Sequence, residues 1–231
     1  MARSRRALLA LASGALLVGL AAAVALAQGT KKCEYQPERK DYRGCNFSEM
    51  ELQGANLAEA DLRGARLDWV RLEGANLEGA NLEGAPPAQG TGTSLYRANF
   101  KSALLVGVNL RWAQLPFAHF DIADVSGADF EGANLFGVTL VNAYAVKTNF
   151  RKASLRDARM MESDFSGADF RGADLTLADF EGANTKGARF EGAIIAGALN
   201  PGGRRCRGDE PSLLDCVLEK RNYDRDWVLA R

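Results

Sequence analysis

Residues 123–137 read ADVSGADFEGANLFG, three successive units of five residues that share one pattern. Each unit opens with Ala, carries Asp or Asn second and an apolar residue third, and ends with Gly. A short fixed period indicates that one structural unit is repeated along the chain. The fold therefore depends on what one unit can do and on how far its phase extends.

The same phase extends over most of the 231 residues. We call the large third residue of each unit its central residue. A first block has nine central residues, from Tyr42 to Leu82, and a second has 21, from Leu95 to Ile195. The residue two positions earlier is small nearly throughout, and most of the 24 glycines fall at the fifth position. These glycines indicate a backbone requirement and not disorder.

A period of five fits neither an α-helix nor a β-strand. It fits an all-β coil with four nearly equal sides and one unit to a side, so that four units complete a turn. The small residue and the central residue then point inward, and Gly or another small residue relieves each tight corner. Successive coils stack at the usual strand spacing of about 4.8 Å. A core exists only once several coils have stacked.

The pattern resembles the pentapeptide repeat family over residues 40–197. The resemblance implies a right-handed, four-sided parallel β-helix, which we assign to residues 40–199. A few positions depart from the pattern: the undersized central residues Ala145 and Thr185, Lys40 and Cys45 at small positions, and Ile194 at a polar one. These departures predict local underpacking and not a different fold.

Residues 85–92, APPAQGTG, interrupt the two blocks. The separation between Leu82 and Leu95 is not a multiple of five, so the phase is lost between them. Two prolines and two glycines cannot continue a regular ladder, and we expect an extruded loop. A hinge between two domains is the alternative, but nine units alone form barely two turns.

The N-terminus has the layout of a secretory signal peptide, which we assign to residues 1–27. Three arginines lie within the first six residues, and residues 7–27 are uncharged and mostly apolar, ending in the small-x-small sequence ALA. The prediction is export to the periplasm or the exterior, with residues 28–39 as a lead-in to the repeats. The alternative is a retained membrane anchor, because an apolar stretch of this length can span a bilayer.

Four cysteines lie in two pairs at the ends of the repeats, Cys33 with Cys45 and Cys206 with Cys216. In an exported chain an even number predicts disulfides. The local pairing, 33–45 and 206–216, is favoured among three connectivities. Neither pair has the close spacing of a zinc site, so no metal is expected.

Residues 200–231 fall outside the period and are expected to cap the last coil. Residues 200–203, NPGG, predict a turn. Residues 211–222 then predict a short amphipathic helix with Leu213, Leu214, Val217 and Leu218 on its apolar face. A disulfide-tied helix suits the role of a cap.

One part of the surface is unusually apolar. Residues four units apart should be neighbours on adjacent coils, which places Tyr96 and Phe136 in one column with Phe117 beside them at the corner. The adjoining sides add Val141, Tyr144 and Met161, and these six residues are the candidate interaction patch. An exposed patch of this kind is typical of a surface that binds a protein partner or a second copy. The alternative is that the 85–92 loop or the C-terminal tail covers it.

Catalytic chemistry is not indicated. The single histidine, His119, stands at a polar repeat position, and no catalytic motif, cofactor site or small-molecule site is recognisable. The 29 basic and 29 acidic residues cancel, so nucleic acid is not an expected partner. We therefore expect a non-catalytic exported scaffold, structural or protein-binding, or a membrane-tethered one if the N-terminal segment is retained.

The resemblance implies a further hypothesis, since some family members mimic duplex DNA and bind a type II topoisomerase. Such mimicry needs a strongly negative rod inside the cytoplasm. Residues 40–197 carry 21 acidic and 16 basic residues, and the two signs are interspersed. The charge pattern and the predicted signal peptide both argue against this alternative.

Overall fold

The chain winds into a stack of coils joined by parallel backbone bridges that advance four units at a time. The computed structural model describes residues 31–85, 92–208 and 213. Four bridges join each pair of coils, as at Asn99–His119, Leu104–Asp124, Asn109–Asp129 and Gln114–Asn134. The architecture is therefore the four-sided all-β solenoid that the five-residue period predicts.

Regular strands are very short because a turn follows every few residues. Strand β1 spans Lys31–Lys32 and pairs in parallel with strand β2, Cys45–Asn46. Elsewhere the ladder consists of single bridges, each supported by backbone hydrogen bonds between coils. The amide of Leu110, for example, donates to the carbonyl of Asp129 at 2.7 Å.

The core is a column of central and small residues, buried along the whole rod. On one side the rings of Phe130, Phe150, Phe170 and Phe190 stack at centroid distances of 5.2, 4.9 and 5.1 Å, with planes within 9° of parallel. The ring spacing follows the spacing of the strands, so the ladder dictates the packing inside it. The undersized central residues Ala145 and Thr185 are also buried.

The residues at the corners are not all small, contrary to the expectation from the sequence. The fifth position adopts a left-handed backbone nearly throughout, and glycine fills many of these sites, but Trp69, Phe117 and Leu177 each have φ of 60°. An L side chain in this region costs about 1–2 kcal/mol. The expectation that the corner requires a small residue is wrong, because the hydrogen bonds of the neighbouring coils hold the backbone there.

A bulky corner side chain extends toward the next coil, where a glycine often stands four units later. A Cβ added to Gly137 would lie 2.8 Å from the ring of Phe117, and one added to Gly197 would lie 2.7 Å from Leu177. A Cβ on Gly132 would overlap the indole of Trp112. At these sites glycine leaves the space that the bulky corner side chain of the preceding coil occupies.

Residues 85–92 leave the register of the stack unchanged. Bridges on either side of this segment still join neighbouring coils, and those that span it, such as Arg66–Ser94 and Asn81–Asn109, join residues further apart in the chain. The segment is therefore an insertion between two successive sides of one continuous ladder, those that carry Asn81 and Ser94. The buried Thr93 hydroxyl closes its base, donating to the carbonyl of Glu83 at 2.9 Å and accepting from the amide of Gly64 at 3.0 Å. Residues 86–91 lie outside the described residues.

The N-terminal lead-in covers the open edge of the first coil. Its strand β1 pairs with β2, and the disulfide joins Cys33 to Cys45. The Tyr35 hydroxyl accepts a hydrogen bond from the amide of Asn56 at 2.8 Å, and the Tyr42 hydroxyl donates to the carbonyl of Gln36 at 2.6 Å. The exposed edge of a ladder invites pairing with other chains, and these contacts block it.

At the other end the chain reverses direction and pairs with the last coil. The turn that begins at Asn200 is followed by an antiparallel bridge between Leu199 and Arg205. Cys206 is disulfide-bonded, and Leu213 is fully buried. The expected helix over 211–222 and Cys216 lie outside the described residues, with Leu213 as the exception, so the helical cap and the second pairing remain predictions.

The variants Gly132→Ala and Gly127→Ala separate the backbone strain of a corner side chain from its steric overlap with a neighbouring ring. Both glycines have a similar φ, 68° and 65°, but only Gly132 faces the Trp112 ring, and nothing lies within 4 Å of a Cβ on Gly127. We expect Gly127→Ala to lower the free energy of unfolding by about 1 kcal/mol. Gly132→Ala should lose about 1–3 kcal/mol more, because the indole must move. Urea unfolding measures both.

Trp112→Ala in the Gly132→Ala background is the control for this prediction. In a protein that already carries Trp112→Ala, Gly132→Ala should lower the free energy of unfolding by only as much as Gly127→Ala does in the wild type. The overlapping ring is then gone. Equal losses for the two glycine variants would show that the ring imposes no spatial requirement.

Candidate functional site

The polar side chain at the second position of each repeat stabilises the turn that follows it. Its side-chain oxygen accepts the backbone N–H two residues later, as from Glu131 to Asp129 at 3.0 Å and from Arg151 to Asn149 at 3.1 Å. The same bond is formed by Asn46, Asn56, Asp61, Asn76, Asn81, Asn99, Asn109, Asp124, Asn134, Asp164, Asp169, Asp174, Asp179 and Asn184. These carboxylates and amides stabilise the fold by a local side-chain bond.

Several of these carboxylates also pair with arginines two residues away. The Arg171 guanidinium donates to Asp169 at 2.8 Å and lowers the pKa of that carboxyl, and Arg63 lowers the pKa of Asp61 in the same way. Arg111 lies 2.9 Å from Glu131 on the neighbouring coil. At these positions the acidic charge is therefore locally neutralised by arginine.

The single histidine, His119, contacts a neutral side chain. Its Nδ1 lies 3.1 Å from the hydroxyl of Thr139 on the next coil, and the side chain is exposed. Within residues 31–85 and 92–208 no group of histidine, cysteine or carboxylate side chains is placed to hold a metal ion. The same residues include no helix long and apolar enough to cross a bilayer.

A chain of aromatic rings lies along one corner of the rod. Trp69 contacts Tyr96, Tyr96 contacts Phe117, and Phe117 contacts Phe136, with centroids 5.8, 6.0 and 5.2 Å apart and rings edge to face. Edge-to-face pairs at these distances are favourable. The four rings come from four successive coils, so the ladder sets their spacing.

Arg97 stands among these rings. Its guanidinium carbon lies 4.7 Å from the ring centroid of Trp69, 5.4 Å from that of Tyr96 and 5.7 Å from that of Phe117, all within range of a cation–π interaction. We call the five residues Trp69, Tyr96, Arg97, Phe117 and Phe136 the aromatic corner. Trp69 is 49% exposed and Phe117 37%, so the rings remain accessible.

A groove of about 500 Å³ runs beside the aromatic corner. It is open to solvent and combines aromatic, cationic and amide side chains; its lining is Trp69, Val70, Arg71, Arg97, Asn99, Phe117, His119 and Gly137. A concave surface with aromatic walls and a few polar groups is typical of a binding site.

The six predicted patch residues form two groups. Tyr96, Phe117 and Phe136 touch at the aromatic corner, whereas Val141 and Met161 lie at the next corner and Tyr144 on the side beyond it. The side between the two corners carries a polar column, namely Asn99, His119 and Thr139. Tyr144 is 58% exposed, and Val141 and Met161 are half-buried.

The sequence interpretation missed Trp69 and Arg97. Residues that are neighbours on adjacent coils are normally four units apart in the sequence. Across the insertion this separation is longer by the length of the inserted segment, as the bridge between Arg66 and Ser94 shows. With that separation Trp69 aligns with Arg97, and Phe117 follows on the next coil. The length of the insertion is therefore the feature of the sequence from which the positions of Trp69 and Arg97 beside each other follow.

The stack defines a β-solenoid of five-residue repeats, and its family follows from comparison with known proteins. The model for pentapeptide repeats matches eight copies, at residues 43–79, 65–85, 93–132, 133–172 and 173–198. The chain belongs to the pentapeptide repeat family. No curated protein sequence matches it significantly.

Solved structures of the same kind are similar to this chain at low identity. HetL, a pentapeptide repeat protein involved in heterocyst differentiation regulation in Nostoc sp. strain PCC 7120, is 24% identical over 79% of this chain and 97% of HetL, with a TM-score of 0.36. QnrB1, a plasmid-mediated fluoroquinolone resistance protein, is 18% identical over 68% and 86%, with a TM-score of 0.35. Rfr23 from the cyanobacterium Cyanothece 51142 is 24% identical over 53% and 89%, with a TM-score of 0.23.

Acid should weaken the fold through the paired carboxylates. Arginine neighbours lower the pKa of Asp61 and Asp169 in the folded protein. A lowered folded pKa contributes stability that is complete above the unfolded value of 3.8 and is lost as pH falls through the folded value. We expect the free energy of unfolding, measured with urea, to decrease steadily as the pH falls below about 4.

Asp169→Asn isolates one pair, because Asn149 already forms the same turn one coil earlier. The variant should keep the bond to the backbone and lose the ion pair with Arg171. At pH 7 it should be less stable than the wild type by about 0.2–1 kcal/mol, and the difference should vanish at pH 2. An unchanged difference at both pH values would exclude an ionised partner for Arg171.

Proposed function

We propose that the protein is a non-catalytic, exported scaffold that binds a protein partner through the aromatic corner. The observation that carries the proposal is the line of accessible, mutually packed rings on a backbone held by the ladder. Exposed aromatic side chains with an arginine among them are the residues most enriched at protein interfaces. A rigid support lowers the conformational entropy lost on binding.

Two features support export. Residues 1–27 have the charge and hydropathy pattern of a signal peptide, although they lie outside the described residues. Cys33 and Cys45 form a disulfide, and Cys206 is disulfide-bonded as well. Disulfides persist in oxidising compartments, which favours the periplasm or the exterior. A membrane-tethered scaffold is the variant of this proposal in which the N-terminal segment is retained.

The absence of catalysis is supported by how the polar groups are used. The repeat carboxylates accept turn amides and pair with arginines. A general base or a nucleophile needs a free group beside a substrate site. Side chains committed to the ladder are better explained as structural groups.

The alternative of DNA mimicry and topoisomerase binding receives less support. Acidic residues of the rod alternate with arginines and pair with them, as at Asp61–Arg63 and Glu131–Arg111. A mimic of duplex DNA needs continuous rows of negative charge at phosphate spacing. Inhibition of gyrase supercoiling by low concentrations of the mature protein would favour this alternative over the scaffold.

Intact-mass measurement of the protein recovered from cells tests the exported part of the proposal. We expect the mass of a chain that begins near residue 28, reduced further by two hydrogens for each disulfide. A full-length mass in the membrane fraction would favour the tethered variant. A full-length mass in the soluble cytoplasmic fraction would contradict export.

Photo-crosslinking tests the binding part. A photoreactive phenylalanine analogue replaces Phe117 in one variant and Lys147 in the control; both positions are exposed, and both have a left-handed backbone. After irradiation of intact cells, we expect a discrete product from position 117 and none from position 147. Its mass distinguishes another protein from a second copy of this chain. Identical patterns at the two positions would contradict a binding role for the aromatic corner.

A further inference from the structure

We infer that the groove at the aromatic corner recognises an acidic residue beside an aromatic or large apolar residue in an extended segment of the partner protein. Arg97 binds the carboxylate, and Trp69 and Phe117 contact the apolar side chain. This inference rests on the proposed protein-binding function and specifies the chemistry of its partner. The charge and contacts of the groove support it.

Arg97 is oriented by its rings and retains unused hydrogen-bond donors. Trp69, Tyr96 and Phe117 surround its guanidinium, and among the described residues no carboxylate forms an ion pair with it. A guanidinium that stacks on rings keeps its N–H groups at the edge of its plane. Those groups match the two oxygens of a carboxylate, and the rings limit the motion of the side chain beforehand.

The nearby acidic side chains are already engaged with other groups. Asp68 accepts hydrogen bonds from the Ser94 hydroxyl at 2.5 Å and the Tyr96 amide at 3.1 Å. Glu73 accepts from Arg71 and Asn99, each at 3.1 Å. Neither carboxylate forms an ion pair with Arg97; among the described residues their ion pairs are with Arg66 and Arg71.

The other cation of the groove is neutralised. Arg71 pairs with Glu51 at 3.2 Å and with Glu73 at 3.1 Å. Arg97 therefore supplies the unmatched positive charge at this surface. Charge complementarity favours an anionic group on the occupant.

The backbone at this corner cannot bind a strand, because the ladder already uses its groups. The amide of Arg97 donates to the carbonyl of Pro116 at 3.0 Å, and the amide of Phe117 donates to the carbonyl of Phe136 at 2.8 Å. Recognition must therefore come from side chains. Addition of a partner strand to the edge of a sheet is excluded at this position.

Peptide binding tests the inference directly. The probe is a fluorescein-labelled, C-terminally amidated peptide, Gly-Gly-Phe-Asp-Gly-Gly, titrated with the mature protein and followed by fluorescence anisotropy. Replacing Asp by Asn in the peptide should weaken binding on the order of tenfold, because a charged hydrogen bond becomes neutral. Replacing Phe by Ala should weaken it further, and added salt should reduce the preference for Asp.

Protein variants identify the residue responsible. Arg97→Gln should bind the Asp and Asn peptides equally, and Arg97→Lys should keep only a small preference because it lacks the planar, stacking group. The control Lys147→Gln removes a positive charge from another left-handed corner, where φ is 56° against 54° at Arg97. It should bind as the wild type does.

Three results would overturn the inference: equal affinity of the wild type for the Asp and Asn peptides, no saturable binding of either peptide, or an undiminished preference in Arg97→Gln. A wild-type dimer in light scattering that Arg97→Gln converts to a monomer would assign the groove to a second copy instead. If the crosslink at position 117 persists while the peptides show no preference, the binding proposal stands and the carboxylate inference falls.

Discussion

The hydrogen bond from one coil to the next is the interaction on which the rest of the structure depends. It repeats along the rod, as from the amide of Phe120 to the carbonyl of Thr139 at 2.7 Å, and in a coil without neighbours only water could satisfy these groups. The bond sets the spacing inside the rod, where phenylalanines stack, and outside it, where the aromatic corner forms. It also holds bulky residues in a backbone conformation that they would otherwise avoid.

The repeat makes the interior predictable and the corners much less so. A central residue such as Leu135 must be buried whatever its neighbours are, since its place in the period decides its direction. The corner position instead accepts Gly, Trp, Arg or Leu, because its side chain points along the rod and the ladder tolerates the strain. The residue at each corner can be read from the sequence, but the period does not determine where a bulky corner side chain lies or which neighbours it contacts.

The candidate site was predictable in part, for a related reason. Tyr96, Phe117 and Phe136 lie on one side of the insertion, where neighbours follow from simply counting four units along the chain. Trp69 lies on the other side, and its alignment requires the ladder to continue unbroken past residues 85–92. The role of Arg97 depends on where its guanidinium lies relative to three rings, which no spacing in the sequence expresses. The sequence pattern shows which residues stack in one column along the rod, but contacts between side chains of different columns are seen only in the structure.

The insertion has a consequence for the engineering of this rod. Ala85 and Gly92 lie so close at its base that a Cβ added to Gly92 would overlap the amide nitrogen of Ala85. The Thr93 hydroxyl bonds to the backbone of Gly64 and of Glu83 beneath them. The chain thus departs and returns at nearly the same point, so the number of residues between the two ends is decoupled from the geometry of the coils. A folded module whose own termini lie close together could be grafted there, displayed on a stiff support a few coils from either tip.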